Sequence, residues 1–169
     1  MSNVTAQVTT NEIKAVVGPE YFFGSFYSTV DQTNAGASVA NKMTYNVTDI
    51  SNGVSIVSNS RITIANAGNY NIQFSAQLDK TDSGDDTVQI WLQKNGNLVA
   101  NSNTEITLTG NTGKHVAAWN WFVTASAGDY FEICWHSIDT AVFINYIAAA
   151  SSPARPAIPS IILTVNKIG

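Results

Sequence analysis

The sequence predicts an all-β domain, a sandwich or barrel, and three observations point there. Its regular segments alternate apolar and polar residues with period two. They recur about every ten residues, and Gly, Asn and Asp stand between them. No segment carries a convincing amphipathic-helix period, which excludes a doubly wound α/β enzyme. The chain has 169 residues, 44% of them hydrophobic, which suits one domain with a core of its own.

Residues 1–20 hold Val, Ile and Ala but reach Gly18-Pro19 without strand alternation. They read as an N-terminal arm or docking segment, a short helix or a frayed tail ahead of a domain over 21–169. Strands are expected over 21–28, 42–48 and 61–65, after which Asn66-Ala67-Gly68-Asn69 turns the chain into a strand over 70–78. There Tyr70, Ile72, Phe74 and Ala76 face one way and Asn71, Gln73 and Ser75 the other. A strand over 87–93 repeats the pattern and ends in Lys94-Asn95-Gly96-Asn97, whose Asn-Gly supplies the positive φ angles of a tight hairpin turn. Leu98-Val99 begins the return, and further strands are expected over 104–108, 115–124, 129–138 and 160–167. The segment 151–159 has prolines three apart and reads as a stiff loop that resists pairing.

Charged residues make up 12% of the chain, against roughly a quarter in ordinary soluble domains. Polarity comes instead from Asn, Thr, Ser and Gln, a profile that assembled and secreted β proteins often share. A net charge of −4 with scattered Lys and Arg argues against nucleic acid, whose binding rests on clustered basic residues displacing counterions. The single cysteine, Cys134, cannot close an internal disulfide, and its apolar setting reads as a buried, inert thiol. No apolar run approaches the roughly 18–20 residues of a membrane span, and the first residues lack a signal peptide's basic and apolar regions. No membrane association and synthesis in a cytoplasm are the expectation.

In the second half of the chain, strands become apolar on both faces. Val116, Ala118 and Phe122 oppose Ala117, Trp119, Trp121 and Val123; Tyr130 and Cys134 oppose Phe131, Ile133 and Trp135. Ile161, Leu163 and Val165 oppose Ile162 and Thr164. A monomeric sandwich has one core, so a second apolar face needs a loop, an arm or another subunit. The aromatic content favours a subunit interface over a purely internal role for Trp119 and Trp121.

Catalytic signatures are missing. His115 and His136 sit in no metal-ligand spacing, no Gly-x-Ser-x-Gly elbow or phosphate loop occurs, and the expectation is a protein that is not an enzyme and has no cofactor. The one acidic cluster, Asp79, Asp82, Asp85 and Asp86, is oxygen-rich enough to be a weak Ca²⁺ candidate, yet no Glu stands at the twelfth place of an EF-hand loop. A solvated polar turn is the favoured reading.

Gly68-Asn69-Tyr70-Asn71-Ile72-Gln73-Phe74, the Val88 to Gly96 strand with its Lys-Asn-Gly turn, Ala127-Gly128-Asp129-Tyr130 and an apolar final strand follow one another in order. With these, residues 21–168 resemble the trimeric jelly rolls of the C1q and tumour-necrosis-factor superfamily, in particular C1q-like structural proteins of marine bacteriophage virions. Ser25-Phe26-Tyr27, Ser51-Asn52-Gly53-Val54, Asn59-Ser60-Arg61-Ile62 and the segment from Pro153 to Pro159 share in the resemblance. It implies about ten strands in a jelly-roll β-sandwich, and three copies packed around a threefold axis with aromatic side chains near it. By that likeness Tyr70, Phe74, Trp119, Trp121, Tyr146 and Leu163 are candidates for core or trimer interface.

The function this implies is non-enzymatic: a homotrimer on a virion surface, as capsid decoration, head fibre or tail appendage, with other virion proteins as partners. The alternative is a module that recognises glycan or protein at a bacterial surface, as jelly rolls do through loops at one end, here those at 79–86, 95–102 and 109–114. Those loops contain no Trp or Tyr, which counts against sugar stacking.

Overall fold

Every regular element among the described residues, 20–168 of a computed structural model, is a β-strand. The expected arm lies outside the described residues except for Glu20. Sixteen strand segments form, and six of them have only two or three residues. The ten longer ones are β1 (Phe23–Ser28), β2 (Val47–Asn52), β3 (Val54–Val57), β4 (Arg61–Ile64), β5 (Gly68–Lys80), β6 (Asp86–Lys94), β7 (Thr104–Leu108), β8 (His115–Ala125), β9 (Tyr130–His136) and β10 (Ile161–Lys167).

They form two antiparallel sheets. The first has the order β2-β1-β10-β5-β8; past the residues that pair with β10, the end of β5 pairs with the short strand Val142–Ile144, which in turn pairs with Gln32–Thr33. The second has the order β7-β6-β9-β4-β3, with Asn41–Lys42 on β9 and Asn97–Leu98 on β6. The architecture is a β-sandwich.

Period two explains its core. On β5, Tyr70, Ile72, Phe74, Ala76 and Leu78 are buried while the residues between them are not. Phe26, Leu163 and Val165 join them from the first sheet, and Ile62, Ile64, Ile90, Leu92, Phe131, Ile133 and Trp135 face them from the second. Each large side chain so enclosed contributes roughly 1.5–3 kcal/mol by leaving water.

Two expectations need correction, and one strand is added. The strand expected over 42–48 is split: Asn41–Lys42 pairs with β9 and Val47 opens β2 in the other sheet. Between them the chain crosses from one sheet to the other while Met43 and Tyr45 stay buried, their N–H groups donating to Ile133 and Asn59 carbonyls at 2.9 and 2.7 Å. Alternation records which side chains are enclosed and not which backbone they pair with.

The segment 151–159 does pair. Ala150–Ser151 and Ala154–Arg155 form a small hairpin, and Ile147 and Ile158 exchange backbone hydrogen bonds at 3.0 and 2.8 Å. Pro153 occupies the turn, where no N–H is required, so the prolines do not block the ladder.

β3 is an addition. It follows β2 after one residue, Gly53, where the chain passes from the first sheet to the second. Gly53 has φ +70°, and a Cβ there would lie 2.5 Å from the Phe22 ring, so only glycine fits this corner.

Candidate interaction surfaces and polar sites

Alternation gives β8 two distinct faces. Ala117, Trp119, Trp121, Val123 and Ala125 turn inward, and Val116, Ala118, Asn120, Phe122 and Thr124 turn outward. Trp119 meets Phe74 edge-on with ring centroids 4.8 Å apart, and Trp121 stacks on Phe74 at 5.4 Å. The Trp121 indole N–H also donates to the Ser102 carbonyl at 3.2 Å. Both indoles are half-buried because β8 is the edge of its sheet.

The other core-or-interface candidates separate as clearly. Tyr70, Phe74 and Leu163 lie in the core, and the Tyr70 hydroxyl donates to the Asn66 carbonyl at 2.7 Å. Tyr146 is half-buried just past the Val142–Ile144 strand, and its N–H donates to Asp31 Oδ1 at 2.7 Å. Sequence reasoning chose the aromatics and missed the outward residues of β8, although the doubly apolar pattern contained them.

That outward set continues across the sheet. It meets Asn69 to Gln77 in alternate positions on β5, Ile162, Thr164 and Asn166 on β10, and Phe23, Ser25 and Tyr27 on β1. None of these residues carries a charge. Phe122 is 69% exposed, Val116 53% and Ile162 40%. The polar members bond to one another: Asn120 donates to Asn71 at 2.7 Å, Asn71 to Asn166 at 3.4 Å, and Thr124 to Asn69 at 2.8 Å. Short, neutral, mutually bonded side chains lose little rotamer entropy on burial and require no desolvation of ions. Covering such a face therefore costs little.

The acidic loop is organised around a lysine. The Lys80 side chain is fully buried; its ammonium bonds the Gly84 carbonyl, lies 2.7 Å from Asp86 and 3.9 Å from Asp82. Carboxylate oxygens of Asp82, Asp86 and Asp139 lie within 4.8 Å of one another. Lys80 thus supplies a positive charge among them. Asp79 is used elsewhere, accepting from Lys114, from Asn145 at 2.7 Å and from the Lys80 N–H at 2.8 Å. Asp85 accepts from the Gly110 N–H at 2.9 Å. The four sequence candidates therefore do not converge on one point.

These bonds, with Thr112 N–H to the Asp82 carbonyl at 3.2 Å, bring the loops at 79–86 and 109–114 together. The Asn95-Gly96 turn lies at the opposite end of β6, beside Gly128-Asp129. The expectation that all three loops share one end is thus corrected: a strand of nine residues separates them.

On the outer face of the second sheet, Cys134 is buried beside Lys42, whose ammonium is 3.2 Å from Sγ and 3.5 Å from Glu132. Burial pushes the thiol up in pKa, and Lys42 only partly opposes it. Ser60 donates to Glu132 at 2.7 Å, so the carboxylate is engaged structurally. His136 Nε2 contacts the Ala37 carbonyl at 2.9 Å, and His115 is exposed at the start of β8.

Fold and surfaces together define a two-sheet antiparallel β-sandwich whose first sheet is uncharged on the outer side of β8, β5, β10 and β1, up to Asp49 on β2, which accepts from Ser25 at 3.4 Å. No protein-family model matches the sequence, and no curated protein matches it.

Proposed function

We propose that this chain is a non-enzymatic structural protein that assembles through the outer face of its first sheet, as a homotrimeric jelly roll on a bacteriophage particle. The observation that carries assembly is the uncharged face spanning β8, β5, β10 and β1, with Phe122 and Val116 exposed on it. Strand pairing supports the jelly-roll reading. β1 pairs with β10, β4 with β9, β5 with β8 and β6 with β7, a nested set such as one long hairpin makes when rolled into a sandwich.

The number three and the virion setting rest on the resemblance of residues 21–168, with capsid or tail proteins as partners. The role needs no cofactor. A second reading, recognition of a bacterial-surface glycan or protein, is favoured by a Trp91-lined hollow on the second sheet.

Sedimentation velocity at micromolar concentration tests assembly. The expected species has three times the 18.1 kDa of the chain. A monomer overturns the proposal.

A further inference from the structure

The loop after the Asn95-Gly96 turn folds back over β6 instead of leaving the sheet. The Val99 N–H donates to the Leu92 carbonyl at 3.1 Å. The buried Ser102 hydroxyl accepts from the Leu92 N–H at 3.0 Å and donates to the Val99 carbonyl at 2.8 Å. Trp121 holds the Ser102 carbonyl from the other sheet. The loop is thereby fixed at both its start and its end.

Between this loop and β6 lies an open hollow of about 370 Å³, lined by Gln89 and Trp91 of β6 and by Leu98, Asn101, Ser102 and Asn103 among the loop residues. None of its lining residues is charged. The Trp91 indole nitrogen is shielded from solvent, so what the half-exposed ring presents is carbon. Gln89 is held by Glu105 at 3.0 Å. Leu98 stands 73% exposed at the edge.

We propose that this hollow binds a neutral saccharide unit. A sugar ring has an apolar C–H face that stacks on an indole plate, and hydroxyls that both donate and accept. The amides of Gln89, Asn101 and Asn103 also donate and accept. An anionic ligand finds no cation among the lining residues and meets the Glu105 carboxylate beside Gln89, and a purely apolar one would leave the amides unpaired at a cost of roughly 1–3 kcal/mol each. An extended peptide cannot pair with β6, which is already bonded to Asn97–Leu98 and β7 on this side. The volume stands at the small end of the roughly 300–1,000 Å³ typical of ligand sites. A loop fixed before binding loses little entropy on binding.

Such a site deepens the recognition reading and does not depend on the oligomeric state. The aromatic group that the loops lack is supplied by the strand beneath them.

The full chain is screened by saturation-transfer NMR against soluble neutral oligosaccharides of glucose, galactose, mannose and N-acetylglucosamine, with tryptophan fluorescence as a second readout. At least one is expected to bind saturably and change the fluorescence. Trp91→Ala and Asn103→Ala each weaken it about tenfold or more, and Trp91→Phe weakens it less. Asn103 is exposed, so Asn103→Ala keeps the thermal midpoint and serves if Trp91→Ala fails to fold.

No saturable binding up to about 10 mM ligand overturns the proposal. So does binding that survives both alanine substitutions, or a preference for sulfated or sialylated glycans over neutral ones. A monomeric chain that binds sugar would sink the assembly reading and leave this one standing, and a trimer that binds none does the reverse.

Discussion

The Asp129 carboxylate lies 2.8 Å from the Lys94 ammonium and also accepts from Asn95 Nδ2 and the Ser126 N–H, both at 2.7 Å. Asn95 completes the arrangement by accepting from the Tyr130 N–H at 2.9 Å. The Lys-Asn-Gly hairpin and the Gly-Asp turn, 34 residues apart between Asn95 and Asp129, are thus two halves of one contact that locks β6 to β9.

This contact sets an acid response. The bonds from Lys94, Asn95 and Ser126 hold Asp129 down to about 2, against 3.8 for an ordinary aspartate. A depressed carboxylate contributes stability that is present above its unfolded value and lost as pH falls through the folded one. Wild-type thermal stability is therefore expected to decline between pH 3.8 and about 2, and Asp129→Asn to flatten that part of the profile. Thermal midpoints measured across this range check it; identical slopes for the two proteins would falsify the role given to Asp129.

Lys80 governs the other end of β6. Its hydrogen bond to Asp86, with help from neighbouring carboxylates, raises it above the ordinary 10.5. A raised lysine contributes stability that is full below the unfolded value and lost as pH climbs through the folded one. Alkaline unfolding should show a component above pH 10.5 that Lys80→Met lacks. That variant leaves Asp82, Asp86 and Asp139 facing one another, so its thermal midpoint falls by several degrees. Millimolar Ca²⁺ then raises the midpoint of Lys80→Met and leaves wild type unchanged. A wild-type midpoint that rises with Ca²⁺ contradicts the place assigned to Lys80.

Cys134 is enclosed between Trp91 and Lys42 in the register of β9. At pH 8 its reaction with a disulfide reagent is expected to be about tenfold or more slower in the native chain than in guanidinium chloride, since enclosure limits both thiolate formation and access. Cys134→Ala costs about 1 kcal/mol by urea unfolding, the loss of one small buried group. Equal labelling rates in the two states would mark the thiol as accessible.

What was legible in the sequence depended on contrast between faces. β5 could be read because Tyr70, Ile72, Phe74 and Ala76 alternate with Asn71, Gln73 and Ser75 for more than two turns of the pleat. β3 has four residues and sits one glycine after β2, too short to show a period of its own. The hairpin around Pro153 was hidden because proline statistics describe strand interiors and this one stands in a turn. The saccharide hollow was hidden for a different reason. The loops themselves hold no Trp or Tyr, and the ring that lines the hollow is Trp91, on a strand that the loop covers by folding back. Long-range relations such as Asp129 with Lys94 have no local signature in any window.

Trp119 and Phe122 lie three residues apart on β8 and face opposite ways, so they separate folding from assembly. Trp119 packs against Phe74 and Trp121 inside its own subunit. Trp119→Ala should cost about 2–4 kcal/mol in urea unfolding, whatever the oligomeric state of the folded chain. Phe122→Asp places a charge on the neutral outer face, 69% exposed in the single chain, and within one subunit changes stability by no more than about 0.5 kcal/mol. In an assembly through this face the same charge is buried without a partner, and the trimer dissociates. Sedimentation velocity and urea midpoints on both variants give four numbers whose pattern decides the matter. If Phe122→Asp sediments as wild type does, the interface lies elsewhere, and the neutral face of β8, β5, β10 and β1 loses the role proposed for it.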